Sequence, residues 1–206
     1  MRLFSYVVRR DFGFAPNPFH GLCTLACCKP PIRKTANVGD LIVGTTSTAG
    51  DADPRFLYIM RVSEISIFDA YWNDQRFECK RPNLHGSKKQ VFGDNIYHRD
   101  PETGDWIQED SQHSNFDGTP HPGHIDRDTG TTENILISDD FVYWGINAID
   151  IPEQFCDGTL GGNIVKHSQG YKCHFPPPFI DKFDAWFRTL EERGVRGKPA
   201  RWLNLF

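Results

Sequence analysis

The stretch Val38-Gly39-Asp40-Leu41-Ile42-Val43-Gly44-Thr45, followed by Phe56-Leu57-Tyr58-Ile59-Met60-Arg61-Val62, decides the fold class. Gly-Asp forms a tight turn, and the apolar run Leu41 to Gly44 behind it reads as a buried strand. Phe56 to Val62 reads as the strand that pairs with it, across a polar loop from Thr45 to Pro54. Upstream, Leu3 to Val8 is rich in β-formers and predicts a first strand. Asp11 to Phe19 holds Gly13, Pro16 and Pro18 and predicts a loop. His20 to Ala26 is expected to begin a short helix, stopped by Pro30-Pro31.

Downstream, Ile67 to Trp72 fits a short helix with Ser66 as its cap. Residues 73–133 lack strong periodicity and read as a loop-rich insertion, with Asn95 to His98 and Trp106 to Gln108 as short strands. Ile135 to Ile137 and Phe141 to Trp144 read as two strands across Ser138-Asp139-Asp140. Phe179, Phe183, Trp186, Phe187 and Leu190 recur at helical spacing. They predict an amphipathic C-terminal helix over 179–193, with Arg193 in its last turn and Gly194 as its C-cap. The sum is a single α+β domain over residues 1–206.

Composition narrows the function classes. The chain has 206 residues, 38% of them hydrophobic, including 16 Phe and 5 Trp, enough to bury a core. No apolar run approaches the about 20 residues of a membrane span. Leu3 to Val8 is too short for a signal-peptide core, so a cytoplasmic, non-membrane protein with its six cysteines reduced is expected. The net charge of −4 argues against indiscriminate binding to phosphate backbones. It is unevenly spread: residues 97–157 hold 2 basic and 14 acidic side chains, while 1–96 hold 13 and 9 and 158–206 hold 8 and 4. Any nucleic acid is therefore expected at the ends rather than the middle. No P-loop and no dinucleotide fingerprint is present.

Locally, the Val38 to Val62 pattern resembles the PUA-like barrels, including their EVE and ASCH members, which implies a small β-barrel. A wider resemblance rests on Arg10-Asp11-Phe12-Gly13-Phe14-Ala15-Pro16-Asn17-Pro18-Phe19, on Cys23-Thr24-Leu25-Ala26-Cys27-Cys28-Lys29-Pro30, on Phe92 to Pro101 and on Ser138 to Gly145. These stretches resemble the nucleotide modification associated domain family, second type. Membership implies a bacterial or phage setting and an association with systems that modify bases in DNA. The name states an association and no reaction.

Three segments carry candidate chemistry. In the first, a loop at a barrel mouth, Asp11, Phe14, Asn17, Lys29 and Arg33 are expected to hold a base or nucleotide. Asn17 offers an amide to a base edge, Phe14 a stacking surface, and Lys29 and Arg33 charge for phosphates. The plain alternative is that the aromatics fill a core and the prolines stiffen a loop. His20, Cys23, Cys27 and Cys28 contain metal-ligand types, but the H-x2-C-x3-C-C spacing is irregular, and buried cysteine is the commoner outcome. Cys28 beside Lys29 is also a nucleophile candidate, although the sequence places no particular histidine beside it.

The second segment is Asp94 to Asp100. In a strand, Asp94 and His98 share one face and Asn95 and Tyr97 the other, so Asp94 would orient the His98 imidazole while Asn95 and Tyr97 meet a base. His113, with Ser111 and Ser114, is a further candidate for the same face. The third is Asp139-Asp140 with Tyr143 and Trp144: a carboxylate pair able to hold a divalent metal, or else a turn, next to an aromatic wall for a base. Three functions compete. One is a binder of a modified or flipped base or nucleotide. Another is a metal-dependent nuclease or base-modifying enzyme using Asp94, His98, Asp139 and Asp140. The third is an interaction subunit for partner proteins of a DNA-modification system.

Overall fold

The computed structural model describes residues 1–47 and 53–204. Positions 48–52 of the expected polar loop lie outside the described residues. In chain order the elements are β1 (Leu3–Val7), β2 (Cys23–Leu25), α1 (Pro30–Thr35), β3 (Leu41–Thr45), β4 (Arg55–Arg61), β5 (Glu64–Ile67) and α2 (Phe68–Asn73). Then come α3 (Lys88–Val91), β6 (Tyr97–Arg99), β7 (Trp106–Gln108), α4 (Pro122–Thr129), β8 (Asn134–Ser138), β9 (Asp140–Tyr143), β10 (Ile149–Asp150), β11 (Tyr171–Lys172), α5 (Pro177–Thr189) and β12 (Gly194–Val195). The class is α+β, as expected. The chain divides into two compact units, Met1–Asp11 with Asn37–Ser63 and Ser138–Phe206, and Phe12–Ala36 with Glu64–Ile137.

The first unit is built on the seven-stranded mixed sheet β11-β1-β3-β4-β9-β12, with β10 added beside β4. The Gly39-Asp40 turn works as its residues dictate. Gly39 adopts φ 91°, and the buried Asp40 carboxylate accepts from the backbone N–H of Arg2 at 2.6 Å and of Asn37 at 2.9 Å. From that turn β3 runs parallel to β1 and antiparallel to β4, with Leu41 opposite Arg61 and Val43 opposite Ile59. The closed PUA-like barrel is not found among the described residues. The sheet path ends at β11 and β12, two-residue strands too short to close it.

Alternation along these strands puts Leu3, Leu41, Val43, Ile59 and Val142 on one face, where Phe179, Phe183 and Phe187 of α5 cover them. Each such Phe contributes about 1.5–3 kcal/mol by leaving water. The helix ends earlier than its pattern predicts, at Thr189. Arg193 folds back to donate to the Leu190 carbonyl at 2.5 Å and the Phe187 carbonyl at 3.3 Å. A guanidinium thus caps the helix in place of a glycine, and Gly194 starts β12 instead.

The second unit carries the three-stranded sheet β2-β8-β5 and the two-stranded ribbon β6-β7. Two expectations are corrected here. His20 to Ala26 holds β2 rather than a helix: Gly21 sits at φ 85°, and Asn17 and Thr24 form a β-bridge that extends the chain. The two strands flanking Asp139 do not pair with each other; β8 joins the three-stranded sheet and β9 the seven-stranded one. Residues 73–133 fall wholly within this unit and hold two helices, two strands and a 3-10 turn at Gln75–Lys80.

A buried polar knot sits in this unit. Lys80 is 1% exposed, and its ammonium donates to the Asn17 carbonyl at 3.1 Å and side chain at 2.9 Å, to the Leu22 carbonyl at 2.9 Å and to the Thr24 hydroxyl at 3.1 Å. Asp94, also 1% exposed, accepts from the Thr24 hydroxyl at 2.6 Å and the Tyr71 hydroxyl at 2.9 Å. Burial raises the Asp94 carboxyl above its usual range, against the opposing charge of Lys80. Charges this deep persist only when hydrogen-bonded, and these hold the 12–24 loop in place.

Candidate active site

Where β2 ends, Cys28 and Lys29 adopt left-handed backbone, at φ 61° and 48°, before α1 begins at Pro30. Non-glycine residues in this region are uncommon, and two in succession need support from their surroundings. Arg33, one turn into α1, supplies it. Its guanidinium is fully buried and donates to three carbonyls: Cys28 at 3.0 Å, Asn134 at 2.9 Å, and Asp128. The guanidinium also lies over the Phe68 ring, 5.4 Å from its centroid.

The turn presents the half-buried Cys28 thiol to His113, with Sγ 3.5 Å from Nε2. On the other side of the ring, Nδ1 lies 2.9 Å from Oδ2 of Asp128. That contact fixes Nδ1 as the protonated nitrogen and leaves the Nε2 lone pair facing the thiol. Asp128 is 0% exposed, and its carboxylate accepts from four further donors. The Cys28 backbone N–H lies at 3.1 Å, the Tyr97 hydroxyl at 3.2 Å, and Arg127 Nε and Nη2 at 2.9 and 3.0 Å, while Asp128 itself sits in the last turn of α4. Counting His113, that makes five donors in all on one carboxylate. Burial alone would raise its pKa; the hydrogen bonds from His113 and Arg127 win and hold it well below the ordinary value.

A second layer locks the ring. Phe14 packs edge-on against His113 with centroids 4.6 Å apart, and Gln108 donates to the Tyr97 hydroxyl and the His113 carbonyl, each at 3.2 Å. His124 reaches the same carbonyl through Nδ1 at 2.7 Å. Burial, then the Asp128 charge, push the Cys28 thiol up to about 11 against the pull of Arg127, Lys29 and Arg33. The resting sulfur is thus a neutral S–H beside an imidazole nitrogen, an arrangement in which His113 is placed to accept the thiol proton.

Cys27, His113 and Asp128 also bring three metal-ligand atoms within 4.8 Å of one another. The surroundings do not suit a cation. Arg127 Nη2 already lies 3.0 Å from Asp128 and 3.3 Å from both His113 nitrogens, and Cys27 donates its S–H to the Asp94 carbonyl at 3.5 Å. A divalent ion there would sit against a fixed guanidinium charge.

The structure distributes the sequence candidates unevenly. Phe14, Tyr97 and Arg33 all serve this centre, Phe14 and Tyr97 by touching His113 and Asp128 and Arg33 by fixing the turn. Lys29 follows the thiol and is half-buried. Asn17 is fully buried and its amide donates to the Phe92 carbonyl at 2.9 Å. Asn95 donates to the carbonyls of Tyr71 and Phe77. Asp94 and His98 do not meet: β6 starts only at Tyr97, so strand alternation does not extend back to Asp94. His98 instead bonds Glu109 at 2.9 Å and stacks on Trp72 at 4.0 Å.

The remaining candidates belong to the first unit. Asp11 is buried and accepts from the Tyr143 hydroxyl at 2.5 Å and the Ala200 N–H at 2.9 Å. Trp144 is 2% exposed and donates to Glu192 at 2.9 Å. Asp139 is exposed, and Asp140 pairs with Arg61 at 3.1 Å and Arg193 at 2.9 Å. Neither compact unit holds all four residues of the proposed nuclease set. Asp128 and Arg127 escape sequence reasoning because α4, Pro-Gly-His-Ile-Asp-Arg-Asp-Thr, has almost no apolar stripe to announce a helix.

No helix among the described residues is long and apolar enough to cross a membrane. Neither the curated proteins nor the solved structures contain a match to this chain. A family model, nucleotide modification associated domain 2, matches residues 1–206. The chain therefore belongs to the nucleotide modification associated domain 2 family.

Proposed function

We propose that the chain is a thiol enzyme of a nucleotide- or nucleic-acid-modification system, in which Cys28 attacks a modified base or nucleotide. The observation that carries this reading is the line Cys28 Sγ, His113 Nε2, His113 Nδ1, Asp128 Oδ2, with gaps of 3.5 and 2.9 Å. Thiol, imidazole and carboxylate in that order form the nucleophile, base and orienting group of covalent catalysis. As sulfur bonds to the electrophilic centre, the S–H bond breaks and its proton passes to Nε2. Asp128 stabilises the imidazolium. His113 then returns the proton to the leaving group, and water resolves the thio-intermediate with the same imidazole as base.

The family membership supports the substrate class, and the rigid left-handed turn at Cys28 supports a placed nucleophile over a merely packed cysteine. Under this reading the base or nucleotide is a substrate rather than a passively held ligand. The test is labelling with a chloroacetamide-bearing nucleotide, read by peptide mass spectrometry. Cys28 should be the labelled residue, and His113→Ala should slow labelling by about 100-fold or more, the usual contribution of a positioned base. Equal labelling rates in wild type and His113→Ala, or label on Cys79 alone, would refute it.

A further inference from the structure

Arg127 has a feature that the triad itself does not require. Nε and Nη2 are fixed on Asp128 at 2.9 and 3.0 Å, and Nη2 lies 3.9 Å from Cys28 Sγ. Nη1 has no hydrogen-bond partner among the described residues, and the side chain is 41% exposed while its carboxylate partner is wholly buried. The guanidinium is therefore held still from behind and offers a donor edge to solvent beside the nucleophile. A planar fork of this kind matches the oxygens of a phosphate and loses little freedom on binding one.

The wider field limits how many phosphates can come. The second unit carries 10 basic and 14 acidic side chains. Residues 100–126, which lead up to Arg127, hold seven acidic side chains and no Lys or Arg. One phosphate meets the local positive edge of Arg127. A strand, with a charge at every nucleotide, also meets the net negative charge of this unit.

We propose that the ligand of the Cys28 centre is a small phosphate monoester of the nucleoside monophosphate class, anchored by Arg127, and not a polynucleotide strand. That this ligand is the substrate rests on the thiol-enzyme reading above; the anion site itself does not. Arg127 touches the phosphate and, lying beside Sγ, also faces charge that develops there.

The experiment uses the full chain with Cys28→Ser, so that binding is read without reactivity. Titration calorimetry at low salt compares the deoxynucleoside monophosphates, their nucleosides, inorganic phosphate, and a 5′-phosphorylated single-stranded 20-mer. The monophosphates should bind at least tenfold more tightly than the nucleosides and the 20-mer. Arg127→Met should erase that preference, and Arg127→Lys, which keeps the charge without the fork, should retain part of it. Tightest binding by the 20-mer, equal binding of nucleosides and monophosphates, or an unchanged preference in Arg127→Met each overturns the proposal. The Arg127→Lys comparison decides the matter if the Met variant does not fold, since unchanged affinity there removes the role of the fork. Arg127-dependent phosphate binding together with His113-independent labelling of Cys28 would sink the enzyme reading and leave the anion site standing.

Discussion

Replacing Asp128 by Asn removes a single charge from a carboxylate that is 0% exposed and accepts from five donors. Breaking a buried ionic pair by deleting one partner costs about 3–5 kcal/mol. Here Arg127 is 41% exposed, so water can take over part of its solvation, and the lower end of about 3 kcal/mol is the expected loss. With a urea m-value of about 1–3 kcal/mol/M, the midpoint should fall by about 1–3 M. Pulsed alkylation of Cys27, which is 0% exposed and lies in the same unit, reports the opening of that unit directly. The half-exposed pair Arg99–Glu133 gives a control, because Glu133→Gln should cost no more than about 0.5 kcal/mol. The pH dependence supplies a second check. The Asp128 pKa is depressed from its ordinary 3.8 on folding, so its contribution is complete above that value and is lost as pH falls through the folded pKa. Wild type and Asp128→Asn should therefore differ at pH 7, with the gap starting to narrow below about pH 4 and closing only as pH falls to the depressed folded pKa. A pH 7 midpoint for Asp128→Asn within about 0.2 M of wild type, or a difference that persists in acid, would refute the reasoning.

Two further outcomes follow from the same packing. Gly44→Ala places a methyl against the Tyr58 ring near the end of β3, so the first unit should lose about 1–3 kcal/mol, measured as a lowered melting temperature. Under native conditions at pH 8, iodoacetamide should label the exposed Cys79 first and Cys28 later. Cys23, pushed up to about 12 by burial, and Cys27, also pushed well up by burial, should stay unlabelled; early modification of either would contradict the described core.

Elements with a strong hydrophobic period were legible in the sequence. The Gly39-Asp40 turn, the β3–β4 pairing and the aromatic stripe of α5 come from local patterns that tertiary structure did not override. That the sheet stays open rather than closing into the expected barrel was not legible, because nothing in Leu3 to Val7 tells that β1 pairs in parallel with β3 or that the sheet edges are two-residue strands. Of the site, Cys28 and His113 stood out as reactive types, but they are 85 residues apart and no spacing rule joins them. Arg33 and Asn17 read as ligand contacts because charged and amide side chains are usually exposed. Their burial reverses that expectation: the same donors that suit a phosphate or a base edge here satisfy backbone carbonyls.

The Arg33 clamp also sets an order of events. Its carbonyl partners include Cys28, 5 residues away, but also Asp128 and Asn134, 95 and 101 residues away. Closing contacts of that span is slow relative to forming α1 itself. During synthesis the thiol emerges about 100 residues before the groups that orient it, so a nascent chain carries Cys28 as an ordinary cysteine. Under the proposed thiol chemistry, reactivity of Cys28 waits for completion of the second unit, and products truncated before Asn134 are expected to be inert, as slow labelling of Cys28 in such a truncation would show.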